Sequence, residues 1–348
     1  MESFDVVISG AGPTGTHLAY LLSKNGLSVL ILEKKKVIGK SACSGLISTR
    51  LRTLVPLKKS VIEHVVFGAT FHSKKASFSV EKSKPVAYVI NRAAFDRELA
   101  AIAQKAGAQI HTGEPFEEYS LEGNCIIVNK KYSAKVLVGA DGAGSTVRRL
   151  SGLEGKISFV NGIISIIEEP SGARTVDVFY GKSIAPGFFA WKIPRGKSTE
   201  YGLAAKRNHL QYFRKFLGMH GHKMAMFRSH PIVSGEQQTA GERVILLGDA
   251  ALQVKPFSGG GVIYGLMCAK IAAKAISSAF KKNDFSKKFF QKNYDIVWKK
   301  KLQKPLMNGK MLRELLNALD DRELDTFFRF LDERKDALSS FGDMDFLQ

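Results

Sequence analysis

Three glycines near the start of the sequence have the spacing of a dinucleotide-binding turn. Gly10, Gly12 and Gly15 form the pattern G-x-G-x-x-G between an apolar β-branched run and a segment with helical spacing. The first glycine of such a turn permits the tight bend, the second lets a pyrophosphate approach the backbone, and the third lets helix and strand pack closely. Glu33 ends the next apolar run, where an acidic side chain accepts hydrogen bonds from ribose hydroxyls. These residues predict a dinucleotide site; the alternative is a glycine-rich turn without a ligand.

Two aspartates further along the chain indicate that the dinucleotide is FAD rather than NAD. Asp141 follows the apolar run in "KVLVGADG", and Asp249 follows the one in "RVILLGDA". Ligands of doubly wound sheets bind at the carboxyl ends of the strands, so both aspartates are expected at that edge. Asp249 suits the ribityl chain, and the helix that begins after Gly261 could stabilise negative charge on a reduced isoalloxazine. An NAD dehydrogenase has no need of this second ligand-binding motif.

The elements around these motifs predict an α/β fold. Residues 4–10, 16–26 and 27–34 read as a buried strand, a helix and a second buried strand, which is a βαβ unit. Asn91 is a plausible N-cap for a helix over 91–107. We therefore expect a Rossmann-like FAD-binding domain, an inserted antiparallel β-sheet substrate domain and a C-terminal helical region. The predicted boundaries are 1–154 with 241–285 for the FAD-binding domain, 155–240 for the substrate-binding domain and 286–348 for the helical region.

The charge of the chain predicts an anionic partner. The formal net charge is +20, and the densest basic run, residues 281–304, alternates lysines with Phe, Tyr and Trp. The charge is compatible with nucleic acid, an anionic lipid surface or an anionic substrate, with no partner as the alternative. No zinc-finger or RNA-binding signature accompanies the basic run, so an anionic membrane surface is favoured over nucleic acid. The first residues lack a signal peptide pattern, and no apolar run approaches about 18 residues. We expect a cytoplasmic protein that associates peripherally with the membrane.

At these motifs the chain resembles the FAD-dependent aromatic-hydroxylase-like flavoproteins, and most of all the geranylgeranyl reductase family, which includes archaeal digeranylgeranylglycerophospholipid reductases. The glycine fingerprint, "NRAAFDRELA", "VGADGAGS" and "GDAALQVKPFSGGGVIYGL" match in order, over roughly residues 1–300. The family's P-x-x-C-x-G has Lys40 at the proline position here. Its Y-x-W-x-F-P has Phe189 in place of the tyrosine and Ile193 in place of the phenylalanine. These departures bear on the substrate more than on the chemistry.

The resemblance implies a set of residues that line a non-covalently held FAD. Arg92 would offer charge to the pyrophosphate, unless it is a surface arginine at a helix start, and Phe116 would offer its backbone to the adenine end. The implied lining comprises Gly15, Glu33, Cys43, Ser44, Gly45, Arg92, Phe116, Asp249, Gly261 and Val262.

Cys43, in "KSACSGLIS", is the residue with the most open role. The three cysteines are far apart in sequence and no C-x-x-C is present, so neither a metal site nor a disulfide framework is expected. The resemblance places the loop of Cys43 and Gly45 across the isoalloxazine, where a small polarizable side chain fits. Cys43 is then either a space-filling thiol or the acid of the reaction.

The reaction that the resemblance implies is reduction of isoprenoid double bonds. Phe188, Phe189 and Trp191 are candidates for the wall of the substrate pocket; the alternative is that they are sheet core. A flavin-dependent monooxygenase of an apolar or aromatic substrate and a non-catalytic flavin- or lipid-binding protein remain as alternatives. The sequence leaves the electron donor open between NAD(P)H, ferredoxin and quinol.

Overall fold

The computed structural model describes residues 1–39, 43–153, 155–335 and 345. Lys40, and residues 336–344 and 346–348 of the predicted helical region, lie outside the described residues. The strands are β1 Glu2–Ser9, β2 Val29–Glu33, β3 Leu46–Ser48, β4 Ile62–Val66, β5 Gly68–His72, β6 Ser77–Glu81, β7 Ala87–Ile90, β8 Gln109–Thr112, β9 Tyr119–Glu122, β10 Cys125–Val128, β11 Tyr132–Gly139, β12 Gly155–Ile167, β13 Thr175–Phe179, β14 Ala190–Pro194, β15 Thr199–Ala205, β16 Arg228–Gln237 and β17 Val244–Leu246. The helices are α1 Pro13–Lys24, α2 Leu51–Leu54, α3 Arg92–Lys105, α4 Thr146–Leu150, α5 His209–Met219, α6 Val262–Lys282, α7 Lys287–Phe290, α8 Ile296–Ala318 and α9 Asp321–Asp332.

The first sheet has the predicted Rossmann-like order. Its strands run β8-β2-β1-β11-β10-β9, and β17 pairs with the second half of β11. Strand β1 is parallel to both β2 and β11, and α1 packs beside α3 and α6. The central strands are continuous apolar runs because both of their faces are covered. The predicted helix over 91–107 is α3, and the Asn91 side chain accepts a hydrogen bond from the Ala94 N–H at 3.0 Å, as an N-cap.

The second sheet is the predicted antiparallel insertion, with one addition. Its order is β16-β12-β15-β14-β13-β5-β6. The prediction assigned residues 68–81 to the FAD-binding domain, but β5 pairs in parallel with β13, so this hairpin extends the second sheet. Period-two alternation identifies strands without naming the sheet edge that they join, which is why the sequence did not reveal this pairing. Helix α5, which the sequence analysis did not predict, packs on β15 and β12.

The aromatic residues of 281–304 form part of the protein core. They pack with α6 in the largest apolar cluster, so the expectation that they face a membrane is wrong, whereas most lysines of this run are exposed. Among the described helices, α6 alone has the length and hydropathy of a membrane span, but 67% of that stretch is buried inside the protein. The buried aromatic side chains are Phe285, Phe289, Phe290, Tyr294 and Trp298.

Candidate active site

The ends of four parallel strands align at one edge of the first sheet. In the hydrogen-bonded register, Ser9 of β1 lies beside Leu32 of β2 and Gly139 of β11, and Gly139 lies beside Leu246 of β17. The glycine turn, Glu33, Asp141 and Asp249 follow these strand ends, so the sheet brings them to the same edge. This is the edge at which doubly wound sheets bind ligands.

The three glycines of the turn have the three predicted geometries. Gly10 has φ +103°, and a Cβ there would lie 2.4 Å from the carbonyl oxygen of Ala140. A Cβ on Gly15 would lie 2.2 Å from the carbonyl oxygen of Gly10, which shows how closely α1 approaches the strand. Around Gly12, by contrast, a Cβ would meet no atom of the described residues within 4 Å. Gly12 therefore borders open space, as approach of a pyrophosphate requires.

Glu33 lies beside the glycine turn. Its carboxylate accepts hydrogen bonds from the Ala11 N–H at 2.9 Å and the Lys35 N–H at 2.8 Å. Each carboxylate oxygen can accept a further hydrogen bond, so these contacts orient the group and leave capacity for ribose hydroxyls. The structure thus places Glu33 where the sequence motif requires an acid.

The two strand-end aspartates have different surroundings. The Asp141 carboxylate accepts hydrogen bonds from Ser145 Oγ at 2.5 Å and the Thr146 N–H at 2.7 Å, so it orders the start of α4. Burial raises the pKa of the Asp249 carboxyl, and the charges of His230 and Arg92 oppose that rise. No donor among the described residues reaches the Asp249 carboxylate, which lies 2.6 Å from the position of a Cβ on Gly261. Asp249 thus keeps its hydrogen-bonding capacity for a ligand.

Cys43 and Arg92 line the same cavity. Arg92 is 9% exposed, and its Nε and Nη2 donate to the Asp96 carboxylate at 3.2 and 3.3 Å. Burial lowers the pKa of the Arg92 guanidinium, but Cys43 and Asp96 raise it by more, so Arg92 stays charged. The alternative that Arg92 is a surface residue at a helix start is therefore wrong.

A buried ionic network ties the second sheet to the Cys43 loop. Arg195 Nη1 donates to the carbonyl oxygen of Ser44 at 2.6 Å and to Glu200 Oε2 at 2.9 Å, and Nη2 lies 2.6 Å from the Glu63 carboxylate. Glu200 is fully buried and also accepts from Trp191 Nε1 at 2.9 Å. Burial raises the pKa of the Glu200 carboxyl, and Arg195 opposes that rise. The sequence analysis missed this network because its members are charged residues without a motif.

A cavity of about 640 Å³ lies beside the Cys43 loop, the start of α3 and the end of β12. Cys43 and Arg92 line it from the part of the chain around the first sheet. Ile164 and Ile166 of β12 line it from the second sheet, together with Arg195. Its lining is largely polar and cationic, with Arg92, Arg195, Lys197 and Arg228, and Ile164 and Ile166 form its apolar part. Its volume falls within the range of small-molecule sites.

The predicted aromatic wall is part of the core of the second sheet, and none of its three residues is among those that line this cavity. Phe188 and Phe189 stack with ring centroids 4.2 Å apart, and Phe189 meets Trp191 edge to face at 5.8 Å. The Phe188 ring would touch a Cβ on Gly259 at 3.3 Å, so it lies against the glycine loop before α6. Trp191 covers Gly202, its cross-strand neighbour. Contact of these rings with a substrate stays a prediction.

The remaining predicted residues lie at the two ends of the site. Phe116 follows β8 in the chain and is buried in an apolar cluster with Leu30 and Leu32 of β2. Gly261 is the N-cap of α6 and Val262 is its first residue. Gly45 has φ +70°, and a Cβ there would lie 2.2 Å from the carbonyl oxygen of Ile90, so the loop needs glycine. No group of three His, Cys, Asp or Glu side chains in the described part of the chain is arranged to hold a metal ion.

Comparisons with known proteins agree with this geometry. The profile of the family described as "FAD binding domain" matches residues 3–197. The digeranylgeranylglycerophospholipid reductase of Methanocaldococcus jannaschii is 30% identical over 364 residues, which cover 97% of this chain and 93% of that protein. A geranylgeranyl bacteriochlorophyll reductase-like protein from Thermoplasma acidophilum has a TM-score of 0.87 at 25% identity, over 96% of this chain and 92% of that one. The halogenase PltM, solved with phloroglucinol and FAD, shares the fold alone, with a TM-score of 0.67 at 18% identity over 93% of this chain and 85% of that one.

The fold and the site define an FAD-binding flavoprotein. The open side of Gly12, the acid beside the turn and the Asp249 carboxylate facing Gly261 fit the pyrophosphate, ribose and ribityl groups in turn. FAD is its cofactor. The chain belongs to the digeranylgeranylglycerophospholipid reductase family of FAD-binding proteins.

Proposed function

We propose that this protein is an FAD-dependent reductase that saturates the C=C bonds of geranylgeranyl chains on membrane lipid precursors. The observation that carries the proposal is the cavity of about 640 Å³ between the Cys43 loop and the apolar face of β12. A site for an isoprenoid chain needs such an apolar wall next to the redox cofactor. The relatives named as digeranylgeranylglycerophospholipid reductases match this chain over nearly its whole length, which supports the same substrate class.

An isolated isoprenoid double bond accepts electrons poorly, so the site must assist. FAD, when bound and reduced, supplies the electron pair. The chain must position the alkene, exclude water and let a proton reach one alkene carbon while positive charge develops on the other. Ile164 and Ile166 supply the apolar part of the cavity lining. Phe188, Phe189 and Trp191 lie outside that lining, and their aromatic faces would stabilise developing positive charge only where the substrate chain reaches them.

Cys43 is our candidate for the group that sets this proton transfer. It lines the cavity together with Arg92, and a thiol in this position could donate a proton to an alkene carbon. The alternative is that Cys43 only fills space beside the cofactor. Under either alternative, Asp249 and the start of α6 are expected to hold the ribityl and isoalloxazine groups.

The test is an anaerobic reaction of the dithionite-reduced, FAD-loaded protein with a digeranylgeranylglycerophospholipid, followed by mass spectrometry of the lipid. We expect gain of two hydrogens for each double bond reduced and reoxidation of the cofactor. Gain of an oxygen atom in the presence of air would support the monooxygenase alternative instead. If the protein binds FAD but none of the isoprenoid lipids reoxidises it, only the flavin- or lipid-binding alternative is left.

Two variants of Cys43 separate its possible roles. If the thiol is the acid, Cys43→Ser and Cys43→Ala should both keep FAD and lose alkene reduction by about 100-fold, since neither supplies a comparable acid. If it only fills space, Cys43→Ser should react at nearly the wild-type rate and Cys43→Ala somewhat more slowly, through a small cavity. Cys125→Ser is the control for the thiol-to-hydroxyl change, because Cys125 lies on β10, away from the cavity.

We further propose that the protein associates peripherally with anionic membranes through exposed lysines of residues 281–304. The net charge of +20 and the exposure of most of these lysines support this surface. A cytoplasmic location with access to the membrane would bring the site to its lipid. The electron donor, whether NAD(P)H, ferredoxin or quinol, can be identified by testing each in the anaerobic assay.

A further inference from the structure

Asp345 is a buried carboxylate held by four donors from other parts of the chain. The residue is 2% exposed. Its carboxylate accepts hydrogen bonds from Ser48 Oγ, from Arg50 Nε at 3.2 Å and from Lys255 Nζ at 3.0 Å, and the Tyr264 hydroxyl donates to its carbonyl oxygen at 2.5 Å. Two cations and two hydroxyls thus converge on one acidic residue.

These donors lie on the two loops that flank the candidate active site. Ser48 ends β3, three residues after Gly45. Lys255 begins the glycine loop that leads to α6: its N–H donates to the Gly260 carbonyl at 3.1 Å, and its carbonyl accepts from the Gly259 N–H at 2.8 Å. Tyr264 lies in the first turn of α6. An anion at this position therefore contacts both walls of the proposed flavin site.

The donor set suits an oxyanion with more oxygens than a carboxylate has. Arginine and lysine beside hydroxyl donors are the groups that proteins use to bind phosphate. The Lys255 side chain is 11% exposed, so its charge is costly to leave without an anion in this position. A phosphate group could accept hydrogen bonds from the same side chains that donate to Asp345.

We propose that Ser48, Arg50, Lys255 and Tyr264 form a binding site for the phosphate of the lipid headgroup, and that Asp345 competes for it from within the chain. This inference rests on the proposed function, because it assigns the headgroup of that substrate. The substrate phosphate displaces the Asp345 carboxylate, so charge in the site is balanced before and after binding. A prenyl lipid without phosphate cannot make this exchange.

The test uses the full-length, FAD-loaded protein and the variant Asp345→Asn with two lipids: a digeranylgeranylglycerol phosphate and the same diether without phosphate. If Asp345 fills the site in about nine of ten molecules, its removal should lower the KM of the phosphorylated lipid about tenfold. The KM of the neutral lipid should not change. Asp332→Asn, an exposed charge removal on α9, is the matched control and should change neither KM.

Inorganic phosphate tests the site without lipid turnover. It should raise the thermal unfolding midpoint of Asp345→Asn and leave that of the wild-type protein nearly unchanged, because a ligand stabilises only a site that it can enter. An equal response of the two proteins to phosphate, or equal KM changes for the two lipids, would overturn the proposal and leave Asp345 as a structural contact. If wild-type protein reduces neither lipid, the proposed function fails, whereas the phosphate measurement still decides this inference.

A second variant keeps the test decisive if Asp345→Asn does not fold. Arg50→Gln retains Asp345 and removes one cation of the site. It should raise the KM of the phosphorylated lipid relative to that of the neutral lipid. An unchanged ratio of the two KM values would refute the assignment.

Discussion

Replacement of Gly12 by alanine should separate FAD binding from folding. A Cβ on Gly12 would meet no atom of the described residues within 4 Å, and its φ of −72° is accessible to alanine. The apo protein should therefore unfold within about 1 kcal/mol of wild type, since a change from glycine to alanine at a compatible position alters stability by no more than that. The added methyl group occupies the space through which a pyrophosphate must reach the backbone.

The expected loss of affinity follows from the hydrogen bonds to the phosphates. A backbone hydrogen bond to a charged group contributes roughly 1.5–3 kcal/mol. Displacement of the pyrophosphate by the methyl group should weaken at least one of them, so FAD affinity should fall by about 2 kcal/mol, or roughly 30-fold. The assay is titration of apo protein with FAD, followed by fluorescence, alongside urea unfolding of the apo form.

Two further alanine variants control this experiment. Gly172→Ala also meets no described atom within 4 Å but lies in a loop of the second sheet, so it should change neither property. Gly10→Ala should destabilise the apo protein by about 2 kcal/mol or more, because of the φ of +103° and the contact of 2.4 Å with Ala140. A folded Gly12→Ala protein that binds FAD like wild type would refute the assignment of this turn to the pyrophosphate.

Three other properties can be predicted. Burial, with Lys270 nearby, lowers the pKa of His17 from 6.5 to about 4. The unfolded chain therefore binds more protons between these two pH values, and the free energy of unfolding falls by at most about 3 kcal/mol as pH decreases through them. Urea unfolding across this range should show a shallower decline for His17→Leu, and an identical decline would contradict the assignment to His17. Glu200→Gln should destabilise the protein by about 3 kcal/mol, because it breaks a buried ionic pair, whereas Glu81→Gln at an exposed pair should cost less than about 1 kcal/mol; similar urea midpoints for the two variants would exclude a special role for the buried network. Sedimentation with anionic vesicles should decrease as salt rises and after substitution of exposed lysines in 281–304 by glutamate; equal binding to neutral vesicles would remove the electrostatic basis.

The parts of the fold that the sequence predicted are those with local signals. The glycine turn, the buried strands and the cap at Asn91 each depend on residues within a few positions of one another, so spacing alone identifies them. The aromatic residues of 281–304 had such a signal too, and it was misinterpreted. Phe290, Tyr294, Trp298 and Leu302 are each four residues apart, which is the spacing of one buried helical face. The lysines that alternate with these residues lie on the other face of the same helices.

The parts that the sequence could not predict depend on contacts between distant segments. Strand β5 joins β13 across about a hundred residues, and Arg195 reaches the backbone of Ser44 across 151 residues. Charged residues carry no spacing pattern of their own, since any exposed arginine or glutamate looks the same in sequence. Only the folded chain shows that Arg195 and Glu200 are buried and that Asp345 meets Lys255.

These long-range contacts have a common consequence for the site. Arg195 joins the second sheet to the Cys43 loop, and Lys255 joins the glycine loop to Ser48 through Asp345. The walls of the cavity are thus held by ionic contacts, and Ile164 and Ile166 form an apolar patch inside it, whose faces an isoprenoid chain would contact. An apolar chain entering the cavity would gain little directional binding from such faces. Its position must then be set by a polar end group, and the cations around Asp345, of which Lys255 is the more buried, border both loops. This is why the phosphate, rather than the isoprenoid chain, is expected to determine which double bond lies beside the cofactor.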